Sequence, residues 1–107
     1  MIKTHFLSEN DIVCGYLLQG HADSGEYGYD IVCAAVSVLA INTVNSLEQL
    51  ALVQPQVVSD DENGGYLKVT LSQADAKKPA AQLLLNSFEL GIRSIIDNYQ
   101  EYITIED

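Results

Sequence analysis

Apolar and polar residues alternate through the first twenty positions, and past a glycine-bearing gap they give way to an almost unbroken apolar stretch. Ile2 to Phe6 reads as a short strand. Asp11 to Gln19 reads as a longer one, rich in β-branched and aromatic residues, with Ser8-Glu9-Asn10-Asp11 as the turn of a hairpin. In the second strand Val13, Gly15, Leu17 and, by extension, His21 fall on one face, with Ile12, Cys14, Tyr16 and Leu18 on the other. That alternation turns Cys14 away from His21.

Asp30 fits as the N-cap of a helix from Ile31 to about Leu50, its carboxylate placed to accept from the free N–H groups of Val32 or Cys33. The first three turns carry Ile31, Val32, Ala34, Ala35, Val36, Val38, Leu39, Ala40 and Ile41, apolar on nearly every side. Such a helix is expected to be covered all round, by a sheet and by something else, and in a chain this short a second subunit is a natural cover.

Pro55 to Ser59 and Tyr66 to Leu71 form a second hairpin pattern, closed by the acidic turn Asp60-Asp61-Glu62-Asn63-Gly64-Gly65 with its Asn-Gly signal. A second helix starts near Pro79, a residue suited to a first turn, and carries Leu84, Phe88, Gly91, Ile92, Ile95 and Tyr99 along one stripe. Tyr102 to Ile105 closes the pattern as a strand. The order strand-strand-helix-strand-strand-helix-strand predicts an α+β fold, a mostly antiparallel sheet packed with two helices, as one domain over residues 1–107. No repeat, linker or low-complexity segment interrupts it.

Composition narrows the classes. The chain has 107 residues, 48% of them hydrophobic, enough to bury one core. The longest apolar run, Ile31 to Ile41, is broken by Ser37 and falls short of a bilayer span. The Met-Ile-Lys-Thr-His-Phe start lacks the pattern of a signal peptide, so a cytoplasmic location is expected. A net charge of −10 disfavours nucleic-acid phosphates and anionic lipid, and favours a basic partner. Cys14 and Cys33 are too few for a disulfide scaffold, and with His5 and His21 they show no metal-ligand spacing. No motif for a metal or an organic cofactor is present, and none is expected.

What remains is chemistry at Gly20 to Ser37. His21 stands at the end of a strand pattern and Cys33 at the start of a helix, with Gly25 and Gly28 between them. If Asp30 caps the helix, Cys33 lies in its first turn, where unpaired N–H groups and the macrodipole favour a thiolate. The same N–H groups could hold an oxyanion. His21 is then the general base, and residues 22–29 form a lid offering Tyr27 and Tyr29 to a peptide. Asp30 could orient the histidine, although capping suits it better. Ser37, one turn beyond Cys33, reads as a packing hydroxyl more than a second nucleophile. The plain alternative is a buried, inert cysteine and a surface histidine.

Gly20-His21-Ala22, the glycines 25 and 28, and Asp30-Ile31-Val32-Cys33-Ala34-Ala35-Val36-Ser37 resemble the signature of the ribosomal-processing cysteine protease (Prp) family. The resemblance is specific over this stretch, and chain length and element order are also similar. It implies a cytoplasmic bacterial endopeptidase, acting as a homodimer, that removes a short N-terminal extension from a large-subunit ribosomal protein. It further implies His21 as base, Cys33 as nucleophile and residues 22–29 as the element that closes over substrate. A basic ribosomal protein would suit the acidic surface. Two other readings stay open: a non-catalytic acidic dimeric adaptor for a ribosomal protein or assembly factor, and a redox-sensing thiol protein using Cys33 and Cys14.

Overall fold

The computed structural model describes residues 1–20 and 27–106. Strand β1 (Ile2–Glu9) turns into β2 (Ile12–Gln19) through Asn10 and Asp11, both at positive φ, 54° and 63°. Two left-handed residues in a two-residue loop make a type I′ turn, whose twist matches that of the flanking strands; Asn and Asp tolerate that conformation best after glycine. Helix α1 (Tyr27–Gln49) follows, then β3 (Gln56–Asp60) and β4 (Tyr66–Thr70). The acidic segment between these strands turns through a short 3₁₀ helix at Glu62–Gly64, with Gly64 and Gly65 both at positive φ. A one-turn helix α2 (Gln73–Ala76), the long helix α3 (Pro79–Tyr99) and β5 (Ile103–Glu106) complete the order.

The sheet runs β3-β4-β2-β1-β5, with every neighbour antiparallel except β1 and β5, which are parallel. The α+β class and the mostly antiparallel sheet are therefore as the sequence predicts, with α2 as an addition. Ser72 caps α2 by accepting from the Asp75 N–H at 3.2 Å. The Gln82 amide of α3 donates to the carbonyls of Ala76 and of Val13 on β2, both at 2.7 Å, fixing α3 to the sheet.

One face of the sheet carries the helices. Ile2, Tyr16, Leu18 and Val69 meet Val32, Val36, Ala40 and Leu47 of α1 and Ala81, Leu85, Phe88 and Ile92 of α3, all of them buried. The Tyr16 ring stacks on Phe88, centroids 4.0 Å apart, and Phe6 meets Phe88 edge-on at 6.0 Å. At Leu7/Ser8 the β1–β2 register shifts, since Leu7 pairs with Gly15 and Ser8 with Val13. Cys14 is the extra residue of this bulge, and its carbonyl accepts from Leu71 N–H at 2.8 Å.

Within one chain helix α1 is covered on its sheet-facing side and, through Leu39, on the flank toward Gly91 of α3; Val38 and Ile41 stand 69% and 57% exposed on the opposite side, beside exposed Ala34 and Ala35, where the sequence expects a second subunit. Over Asp30–Gln49 it is also long and apolar enough to cross a membrane by length and composition, more so than the run to Ile41 suggests. Its sheet-facing side nevertheless packs into the core, and Tyr16 donates its hydroxyl to the Ala40 carbonyl at 2.8 Å.

Candidate active site

Helix α1 begins at Tyr27, four residues before the predicted start. Asp30 is thus inside the first turn and exposed, and it is not the N-cap. A carboxylate there still complements the positive end of the helix dipole. Cys33 becomes the seventh helical residue. Its N–H lies beyond the four unpaired ones at a helix start, and the dipole's influence fades within the first turn. Helix-start activation and a helix-start oxyanion hole at Cys33 therefore both lose their basis. Tyr27, Gly28 and Tyr29 belong to α1 and not to a loop, which shortens the predicted lid to residues 22–26. His21, Gly25 and the rest of that segment lie outside the described residues.

The three sides of α1 are set by its 100° step. Val32, Val36, Ala40, Thr43 and Leu47 face the sheet and are buried. On one flank Ala35, Leu39 and Asn42 share a groove with Gly91 and Ile95 of α3. On the other flank stand Cys33, Ser37 and Val44, spaced i, i+4, i+11. Cys33 is 8% exposed and belongs to the core cluster, so packing on both sides holds its position. Ser37 is half-buried on the same flank. The structure thus places Asp30, Cys33 and Ser37 along one flank of α1, with Asp30 at its exposed end.

Gly20, the last residue before His21, has φ 84° and donates its N–H to the Gly65 carbonyl at 3.0 Å. A left-handed residue ends the regular alternation of β2 at Gly20, and the face that parity assigns to His21 lies outside the described residues. The bond ties the exit of β2 to the turn before β4. Cys14 is buried in the same core as Cys33, and neither is in a disulfide. Burial, and secondarily the charge of Glu9, push the Cys14 thiol up from its ordinary range, with its backbone hydrogen bond opposing. A buried neutral thiol is a poor redox partner, which disfavours the Cys14–Cys33 sensor. Among the described residues no group of three or more His, Cys, Asp or Glu side chains is placed to hold a metal.

The comparisons with known proteins give the class, a cysteine protease of α+β fold. The family model described as Cysteine protease Prp matches residues 1–104, and the chain belongs to this family. A Staphylococcus aureus protein named ribosomal processing cysteine protease Prp is 36% identical over 93 residues, 87% of this chain and 85% of that one. The Bacillus subtilis protein of the same name is 26% identical over 95 residues, 87% and 84%. Among solved structures, one from Streptococcus mutans matches with TM-score 0.92 and 43% identity over 99% of this chain and 92% of that one. The essential ribosomal processing protease Prp of S. aureus, solved with a substrate peptide, matches with TM-score 0.87 and 29% identity, covering 99% and 98%.

Proposed function

We propose that this chain is a cytoplasmic endopeptidase that removes a short N-terminal extension from a large-subunit ribosomal protein, with Cys33 as nucleophile and His21 as general base. The observation that carries the reading is the placement of Cys33, fixed by core packing on one flank of α1, in a chain of the Prp family. Its Sγ attacks the scissile carbonyl carbon as the thiolate, and His21 gives its proton to the leaving amine. A thioester remains on Cys33. His21 then takes a proton from water, whose oxygen attacks the thioester and releases the thiol. In support, the S. aureus relative has also been solved with a covalently linked product peptide, at 31% identity and TM-score 0.82 to this chain.

Since Cys33 stands past the helix start, activation of its thiol falls to His21 in this mechanism. Ser37 acts as a neighbour that packs and does not react. The exposed apolar side of α1, with Val38 and Ile41, supports pairing with a second copy as a homodimer. The charge of −10 supports steering of a basic substrate.

The test incubates the purified protein with a peptide spanning the extension junction of its host's ribosomal protein, beside Cys33→Ala and His21→Ala variants. The expected result is cleavage by the parent alone, at a second-order rate that falls as salt rises. Cleavage that survives Cys33→Ala overturns the reading, and binding by the parent with no cleavage favours the adaptor.

A further inference from the structure

The β2–β4 pairing does not stop at its last paired residues, Gln19 and Tyr66. One more bond follows, from Gly20 N–H to the Gly65 carbonyl at 3.0 Å, and a glycine stands on each side of it. Gly20 has φ 84°, and Gly65 has φ 94° with ψ 147°, a backbone region left essentially to glycine. An ordered glycine costs more backbone entropy than any other residue and brings no side chain to pack. Two of them facing each other therefore serve shape rather than stability. The shape is braced from behind. The Asp60 carboxylate accepts from Glu62 N–H at 2.8 Å, the Glu62 carbonyl accepts from Gly65 N–H at 3.0 Å, and Gly65 itself is buried. Gly20 is thus tied to a turn that is itself held by hydrogen bonds.

We infer that Gly65 is a positioning residue for the reaction: through its bond to Gly20 it fixes the backbone from which His21, next in the chain, acts as base. The inference rests on the protease reading and adds to it what holds the base. Proton transfer needs the base within hydrogen-bond reach of the thiol, and a misplacement of about 1 Å can cost about a hundredfold in rate. Core packing on α1 holds Cys33, and no helix start assists its thiol. The reaction therefore depends on where the base is carried. Its covalent neighbour is Gly20, and Gly20 takes its place from a turn distant in sequence.

Gly64 supplies an internal control. It lies in the same turn at φ 89°, so alanine is strained there too, and among the described residues it makes no backbone bond to Gly20 or β2. The experiment measures iodoacetamide alkylation of Cys33 by peptide mass, and kcat and KM on the junction peptide. The proteins are the parent, Gly65→Ala, Gly64→Ala, His21→Ala and the double variant Gly65→Ala/His21→Ala, with urea midpoints recorded for each. Gly65→Ala is expected to lower kcat about tenfold or more with KM within about twofold, and to slow alkylation as His21→Ala does. Gly64→Ala should stay within about twofold of the parent in both. The double variant should alkylate no more slowly than His21→Ala, because Gly65 acts through the base. Parent-like kcat and alkylation in Gly65→Ala overturn the inference, and so does an equal loss in Gly64→Ala or a further loss in the double variant. Hydrogen exchange on the parent is a second test that needs no variant to fold. The Gly20 amide should be protected like those of the β2–β4 ladder, and exchange at the rate of an open amide overturns the inference. Alkylation that His21→Ala leaves unchanged removes the base reading and the inference with it, whereas slowing in His21→Ala alone removes only the inference.

Discussion

Tyr16, at the centre of the sheet, donates its hydroxyl to the main-chain carbonyl of Ala40 in the middle of α1 at 2.8 Å. The bond pins the apolar crossover helix to β2 at one height, and the stacking of the same ring on Phe88 locates α3 beside it. Both helices are therefore registered against one side chain, and the position of Cys33 two turns above Ala40 depends on it.

Tyr16→Phe keeps the ring and removes the bond, and should destabilise the fold by about 1 kcal/mol. Burial pushes the Tyr16 phenol well above its ordinary range. The folded chain thus keeps a proton that the unfolded chain loses above about pH 10. That contribution is complete below the unfolded value and is lost as pH rises toward the folded one. Urea midpoints should fall more steeply above pH 10 in the parent than in Tyr16→Phe; identical slopes would contradict it.

Two glycines should respond in opposite ways. A Cβ on Gly15 would overlap the Val69 carbonyl oxygen and crowd the Thr70 Cα, all backbone of the paired strand. Gly15→Ala should cost about 3 kcal/mol or more, or prevent folding. At Gly91 the added methyl would meet the Leu39 side chain, nearest at Cδ2, 2.6 Å, the far end of a flexible side chain. Alanine also gains about 1 kcal/mol of helix propensity there, so Gly91→Ala should be within about 1 kcal/mol of the parent in urea unfolding.

The two cysteines are nearly equally buried, 9% for Cys14 and 8% for Cys33, so exposure does not separate them. Chemistry should. With the Cys14 thiol pushed up by burial and Glu9, brief iodoacetamide treatment at neutral pH should alkylate Cys33 first, read by peptide mass. His21→Ala should slow that alkylation about tenfold, because no helix start assists Cys33. Preferential labelling of Cys14 would contradict both statements.

Val38→Asp places a charge on the outward face of α1, where the parent side chain is 69% exposed, so the fold of one chain should be untouched. If that face joins two copies, light scattering should show the parent as a dimer and the variant as a monomer. A variant that stays dimeric would move the contact elsewhere.

Local chemistry made much of this fold legible. The Asn10-Asp11 turn, the alternation of Leu67 and Val69, and Pro79 as the first residue of α3 all act within a few residues, and the structure uses each one. The start of α1 was hidden because Gly28 and the two tyrosines around it are weak helix formers, and because Asp30 looks like a cap. Tertiary packing overrides both signals. Periodicity shows that the outer face of α1 is apolar and not what covers it, and within one chain Val38 and Ile41 stay exposed there. At the site, the sequence singles out Cys33 and Ser37 as one helical turn apart, and they do share a flank.

The parallel pairing of β1 with β5 joins strands about a hundred residues apart in the chain. Ile2 N–H donates to the Tyr102 carbonyl at 2.7 Å, and Ile2 and Ile103 bury each other at 0% and 1% exposure. While the chain is being synthesised, one edge of β1 has no neighbour until residues 103–106 leave the ribosome. The core beneath Ile2 therefore closes only after translation of this segment, and a nascent chain stalled before it would present an open strand edge to whatever lies nearby.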